Sequence, residues 1–395
     1  MGRKQKLLLA NFGVGLALLL AFAYLLLSGK QLQPVSSCAT APGDWLLLVT
    51  RLVRHYREPC ADFYWLPNLT DEFHNRIQLN NFGLQDTMLS LEKPDGVYRI
   101  LVVGDSFAQG WQVPLEQGFP YLLEQQLSHE SGRQVEVVNL SMDAYGTDRE
   151  LLLYSILGWR FQPDLVLLAI YVGNDVQDNE IDLETRRYGY RLQRPFLTLV
   201  DGELSLHNSP IYTPGLFDNS PAYLWLARLQ SQQGDLPPEN PPPIPRVVSE
   251  SPYTLEYPVE LGLYLPEDGH WANAWALTEA LIVQMRDLVQ AQGSRFAAII
   301  IPDRRAVHSE DWDYTVQEYP FLQTADPIAP ITRMAELLAA HEIPALNLTW
   351  YLRSWLTRNP DERLYYGGDG HFNANGHAVT AQRLNSWLRA EGLAP

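Results

Sequence analysis

Four short segments of this chain carry residue types that together could do acyl-transfer chemistry. The first is ILVVGDSF, Ile100 to Phe107, an apolar and partly β-branched run that ends in Gly104, Asp105 and Ser106. Such a run reads as a central parallel strand covered on both faces, and ligands of open α/β sheets collect at the carboxyl ends of such strands. A serine there is placed to attack a bound electrophile, although Gly-Asp-Ser is also ordinary turn chemistry. Because a serine hydroxyl is a weak nucleophile at its own pKa, it needs a base within hydrogen-bond reach, and that base needs an orienting acceptor. GGDGHFNANGH, Gly367 to His377, offers both in His371 and Asp369. Two further segments are NLSMDAYGTD (Asn139 to Asp148) and DLVLLAIYVGND (Asp164 to Asp175). The latter is a second buried run that delivers Gly173, Asn174 and Asp175 to the same sheet edge. Asn174 there offers an amide that donates while staying neutral.

With these four ordered segments the chain resembles the SGNH/GDSL hydrolase superfamily, whose blocks centre on Ser, Gly, Asn and His. The resemblance runs from about residue 97 to the C-terminus. It implies Ser106 as nucleophile, His371 as base and Asp369 as its orienting acid. It also implies an oxyanion hole made of the Ser106 N–H, a block II N–H and the Asn174 amide, each donor typically worth about 3 to 4 kcal/mol to the transition state. Two positions depart from the family pattern. Where block II usually has glycine this chain has Ala144, with Gly146 two residues on, so either N–H could donate; alanine serves equally unless the backbone demands positive φ. Asp369 and His371 are separated by one residue where many members have two. That D-x-H form resembles the membrane-anchored and polysaccharide-acetylating branches.

Other histidines compete for the role of base. His377 falls at the start of the last expected helix, where a packing role suffices. A near copy of the fourth block, EDGHWANAW (Glu267 to Trp275), contains Asp268 as a helix cap and His270 as a first-turn residue. A metal site built from Asp268, His270, Asp369 and His371 has none of the usual zinc spacings, so neither metal nor cofactor is expected.

To position these residues, the core must alternate strand and helix. The pattern predicts strands at 99–103, 135–139, 164–171, 295–301 and 343–347, and helices at 118–130, 148–159, 272–292, 330–341 and 374–391. Such alternation implies right-handed crossovers and a doubly wound α/β/α parallel sheet. The family's five-stranded flavodoxin-like order, 2-1-3-4-5, fits it. Residues 176–270 interrupt the alternation with an aromatic-rich insertion containing PPENPPPIP (Pro237 to Pro245), which reads as a lid or stiff cover. Before the core, NNFGLQD (Asn80 to Asp86) resembles the extended lead-in of anchored family members.

The setting follows from composition. The 395 residues, 46% hydrophobic, suffice for one large α/β core with appendages. A net charge of −17 without a long acidic run argues against nucleic acid or anionic lipid headgroups as partners of the globular part. At the N-terminus Arg3, Lys4 and Lys6 precede Leu7 to Leu27, 21 residues without a charge. At 1.5 Å per residue that run crosses a hydrocarbon core of roughly 30 Å. The basic flank places the remainder outside the cytoplasm, dividing the chain into an anchor (1–28), a membrane-proximal segment (29–96) and a hydrolase-like domain (97–395). A cleaved signal is the competitor, but the run is long and lacks an A-x-A site; VSSC, ending at Cys38, is a weak lipoprotein box far from it. Cys38 and Cys60 are the only cysteines. Paired in an oxidising compartment they would close a loop worth about 3 kcal/mol in the chain-entropy model.

The expectation is therefore an extracytoplasmic, single-pass serine esterase acting on O-acyl, chiefly O-acetyl, esters of carbohydrate or envelope material. A polysaccharide O-acetyltransferase using the same residues is one alternative. A non-catalytic carbohydrate-binding scaffold is another, although a silent scaffold need not keep all four chemical residues. Oligomeric state is not legible in the sequence.

Overall fold

A computed structural model describes residues 62–65, 72–188, 194–207, 257–266 and 269–395. The apolar run Leu7 to Leu27, Cys38, Cys60, Asp268 and the Pro237 to Pro245 stretch lie outside these residues. Among the described residues no helix is long and apolar enough to cross a membrane.

A short antiparallel pair, β1 (Asp62–Trp65) and β2 (Asn75–Gln78), comes first. The first half of the core follows as β3 (Tyr98–Gly104), α1 (Ser106–Gln109), α2 (Phe119–Ser131), β4 (Val135–Asn139), α3 (Thr147–Ile156) and β5 (Leu165–Tyr171). Next come α4 (Asp175–Asn179), α5 (Ile181–Tyr188) and the hairpin β6 (Phe196–Val200) and β7 (Glu203–His207). The second half is α6 (Gly269–Ala291), β8 (Arg295–Ile301), α7 (Arg304–Val307), α8 (Ser309–Glu318), α9 (Ala329–Ala340), β9 (Ala345–Asn347), α10 (Thr349–Arg358) and α11 (Ala374–Ala390).

The central sheet is parallel throughout, in the order β4-β3-β5-β8-β9. Counted along the chain within this sheet, that is the expected 2-1-3-4-5. Its strands read as unbroken apolar runs because both faces are covered. On β3, Leu101 and Val103 enter one layer with Leu152 of α3, Leu281 of α6 and Met334 of α9. Ile100 and Val102 enter the other with Leu123 of α2, Leu352 of α10 and Leu384 of α11. The two-residue side-chain period of a strand thus splits one sequence run between two cores.

Several elements depart from the sequence expectation. The last strand starts at Ala345 and not at 343, because Pro344 has no N–H to give the ladder; its carbonyl still accepts from the Ala298 N–H at 2.9 Å. The helix expected over 148–159 ends at Ile156 and tightens into a 3-10 turn over Gly158–Phe161. Helices α1, α4, α7, α8 and α10 are additional. Within 176–270 the chain forms α5 and the β6–β7 hairpin. The hairpin turn is Asp201-Gly202, with φ values of 52° and 81°, the left-handed pair that a two-residue type I′ turn requires.

Buried Arg194 fastens that hairpin to the core. Its Nε donates to both oxygens of Glu184 at 3.1 Å, and its Nη1 pairs with Asp148 of α3. Its guanidinium lies 3.8 Å from the Phe196 ring centroid.

Candidate active site

β3 stops at Gly104 because the chain must turn sharply there. A Cβ on Gly104 would sit 3.0 Å from the Cβ and carbonyl of Ala169 and 3.1 Å from the Cβ of Ala108, so only glycine lets α1 begin this close to β5. Asp105 is the N-cap of α1, its side chain accepting from the Phe107 N–H at 2.9 Å. Ser106 is therefore the first helical residue, at the carboxyl end of a central strand, with an N–H that has no intrahelical acceptor.

The Ser106 Oγ lies 2.7 Å from Nε2 of His371, and Nδ1 of the same ring lies 2.7 Å from Oδ1 of Asp369. An ionised carboxylate only accepts, so Nδ1 carries the proton of the neutral ring and Nε2 is left to accept from Oγ–H. The one-residue spacing works because Gly370, at φ 88°, folds the backbone between Asp369 and His371. The turn is closed by Gly370 N–H donating to the Tyr366 carbonyl at 3.0 Å and by Tyr366 N–H donating to the His371 carbonyl at 2.8 Å. Burial works to lower the His371 pKa, but the Asp369 hydrogen bond and charge outweigh it. With Asp105 and Asp143 adding in the same direction, the imidazole is held above its ordinary value of 6.5.

Ala144, Gly173 and Asn174 line the same cleft as Ser106, Asp369 and His371. Gly146 is not among the lining residues. It is the N-cap of α3, and a Cβ there would meet the Asn179 Oδ1 at 2.9 Å. Of the two block II candidates, only Ala144 opens toward the serine. Its φ is 60°, so the condition for an ordinary alanine backbone at this position is not met. The left-handed region costs a residue with a Cβ roughly 1 to 2 kcal/mol, which is the physical reason for a glycine there. Ala144→Gly is accordingly expected to stabilise the fold by about 0.5 to 1 kcal/mol once glycine's greater unfolded-state freedom is deducted, with unchanged catalysis. Thermal unfolding checks it, and a lower Tm in the glycine variant would overturn the strain argument.

The competing histidines are elsewhere. His377 is 1% exposed; its Nδ1 accepts from the Phe119 N–H at 3.2 Å and its ring lies against Phe119 and Phe372. Burial, with the charge of His371 second, pushes its pKa down to about 3. His270, on α6, has Nδ1 3.5 Å from both Glu180 and Asp182. These three form a cluster of intermediate burial with ligand atoms within 4.8 Å of one another, and none of them lines the serine cleft. The Glu180 hydrogen bond holds the His270 pKa above its ordinary value. The sequence-level metal combination of His270 with Asp369 and His371 is therefore not brought together.

Some residues at the site carried no sequence signal. Phe107 stacks on Tyr171 at 4.0 Å and lies 4.8 Å from the His371 ring, forming a floor beneath the imidazole. Tyr171 donates to Asp303 at 2.8 Å, and Asp303 pairs with Arg305 at 2.7 Å. Asp303 stands just beyond β8, so the rule that found Ser106 and Asn174 at strand ends applies to it as well.

Behind the serine, Asp105, Glu150 and Asp175 are all fully buried. Burial is the largest cause raising each of their pKa values; the Asp105 charge adds to the rise at Glu150, and the Glu150 and Asp105 charges add to it at Asp175. Neither carboxyl oxygen of Glu150 has a hydrogen-bond partner among the described residues. The proton held in the folded state makes folding more favourable below the unfolded pKa, near 4.3, and that advantage is lost as pH rises through the raised folded value. Glu150→Gln cannot ionise, so its Tm relative to the parent should become more positive from about pH 4 to pH 8. A pH-independent difference would mean that Glu150 ionises equally in both states.

No family model matches the chain. An arylesterase of Vibrio mimicus is 38% identical over 72 residues, which are 18% of this chain and 36% of that protein. The chain thus matches about a third of the curated relative's length. Among solved structures, TesA is 14% identical, with 74% of this chain and 98% of that one covered and a TM-score of 0.36. A lipase/acylhydrolase of Enterococcus faecalis is 13% identical, covering 74% and 96% at a TM-score of 0.36. The acetyl xylan esterase AlAXEase is 13% identical, covering 73% and 98% at a TM-score of 0.37.

Proposed function

We propose that the protein is a serine esterase of SGNH type, anchored by the Leu7 to Leu27 segment and acting outside the cytoplasm on O-acyl, chiefly O-acetyl, esters of carbohydrate or envelope material. The observation that carries the reading is the continuous hydrogen-bond chain from Ser106 through His371 to Asp369, 2.7 Å at each step. In this mechanism His371 Nε2 takes the Oγ proton as Oγ attacks the ester carbonyl, and Asp369 holds the imidazolium that forms. The developing oxyanion is met by the Ser106 and Ala144 N–H groups and the Asn174 amide. His371 then protonates the departing sugar oxygen, leaving an acetyl-serine that water, activated by the same imidazole, hydrolyses.

The walls of the cleft favour a polar alcohol portion. Asp143, Arg187, Glu260, Asp303, Arg304 and Arg305 all line it, a surface suited to hydroxyl groups and poorly suited to a long acyl chain. The test is to treat the full-length protein with a fluorophosphonate and with acetylated sugars beside long-chain acyl esters. The expected result is a label on Ser106 and release of acetate from the sugars in preference to fatty acid release. Acetate appearing on an added polysaccharide hydroxyl instead of water would favour the transferase. A folded protein that neither takes the label nor releases acid would overturn the esterase reading.

A further inference from the structure

The catalytic acid sits in an unusually loose stretch of sequence. Gly367, Gly368 and Gly370 surround Asp369, and glycine loses more conformational freedom on ordering than any other residue. A one-residue turn that must hold Asp369 to His371 therefore needs to be gripped from outside. Arg304 supplies one grip, donating to the Gly367 carbonyl.

The other grip comes from far upstream in the chain. Both carboxylate oxygens of Glu72 accept from the Gly368 N–H at 3.0 Å, and Oε2 also accepts from the Asp369 N–H at 2.9 Å. Hydrogen bonds to an ionised acceptor are roughly twice as strong as neutral ones, and successive N–H groups converging on one anion form a concavity suited to it. Glu72 is itself held in place by its neighbours. Phe73 packs with Ile77, Leu79 and Trp111, and its ring lies 5.2 Å from that of Tyr366. Asn75 donates to the Trp111 carbonyl at 3.0 Å. The segment before the core is thus tied both to the loop after Ser106 and to the loop before His371.

We propose that Glu72 is a positioning residue of the active site, holding the Gly368–Asp369 backbone so that the Asp369 carboxylate meets Nδ1 of His371. The proposal rests on the serine-esterase reading above. A misplacement of about 1 Å at a reacting constellation costs about 10²-fold in rate, and Glu72 is not among the residues that line the serine cleft, so its removal acts on turnover rather than binding.

The experiment measures kcat, KM, the pH dependence of kcat/KM and Tm for full-length parent, Glu72→Ala and Glu72→Gln with an acetyl ester. Glu72→Ala should lower kcat about 10- to 100-fold, leave KM within about threefold and shift Tm little, because Glu72 is exposed. The charges that bear on the His371 ring are Asp369, Asp105 and Asp143; with Asp369 displaced, the acid limb of the profile should move to lower pH. Glu72→Gln keeps one acceptor oxygen and should recover part of kcat. A merely structural role would lower Tm without moving the limb. Parental kcat and limb in folded Glu72→Ala would overturn the proposal, and should that variant not fold, Glu72→Gln decides by the same readouts. If the parent itself neither labels nor hydrolyses esters, the esterase reading has failed instead.

Discussion

Ser106→Ala should take up no fluorophosphonate and turn over acetyl esters about 10⁴- to 10⁶-fold more slowly than the parent, with an unchanged fold. The substitution removes one oxygen whose hydrogen bond is to His371 Nε2 and leaves the Asp105 cap that starts α1 in place. Ser106 is 7% exposed at the mouth of the cleft, so little packing is lost. The Ala144 and Asn174 donors remain, and donors without a nucleophile still give a residual rate above that in water. Thermal unfolding of the variant beside the parent separates lost chemistry from lost structure. Full activity in the folded alanine variant would sink the serine mechanism, whatever the distances between the three side chains.

The strands of the central sheet could be read from the chain because they carry their own evidence, whereas their order came from the family resemblance. Unbroken runs such as Leu165 to Tyr171 announce a strand covered on both sides, and helical stretches of ten or more residues between them dictate parallel crossovers. Ser106 and Asn174 stand out for the same reason, since each follows such a strand at the edge where ligands bind, whereas the Asp369–His371 pair stands out by its D-x-H block ahead of the last helix. What escaped the sequence depends on distance in space without a local pattern. Glu72 is an unremarkable acidic residue until its carboxylate is seen against the Gly368 and Asp369 N–H groups, 296 positions away. Glu150 looks like a solvated helix residue, yet α3 is buried all round. The left-handed backbone of Ala144 is hidden because alanine rarely adopts it, and the usual family glycine was the only hint. The β6–β7 hairpin was a different kind of miss. Its Asp201-Gly202 turn is a strong local signal, obscured by the proline-rich composition of the surrounding insertion.

His371→Ala should lose about 10⁴- to 10⁶-fold in kcat/KM, whereas His270→Ala and folded His377→Ala stay within about tenfold, near the 1.4 kcal/mol expected of indirect effects. The three rings differ in what they can do with a proton. His377 is sealed among Phe119 and Phe372 with a pKa pushed down to about 3, so it is neutral at all working pH values and its loss tells on stability: the Phe119 N–H would be left unsatisfied at about 1 to 3 kcal/mol. His270 has its Nδ1 3.5 Å from Glu180, the C-cap of α4, and from Asp182 of α5, outside the serine cleft. Only His371 joins a hydroxyl to a carboxylate. Because Asp369 overcomes the effect of burial and holds this imidazole above 6.5, the acid limb of kcat/KM should lie above that pH. Activity should fall as pH drops through it, since the imidazolium cannot accept the Ser106 proton. A pH–rate profile flat from about pH 5 to 8 would contradict the assignment. Collapse of activity in His270→Ala with His371→Ala spared would move the base to the cluster on α6.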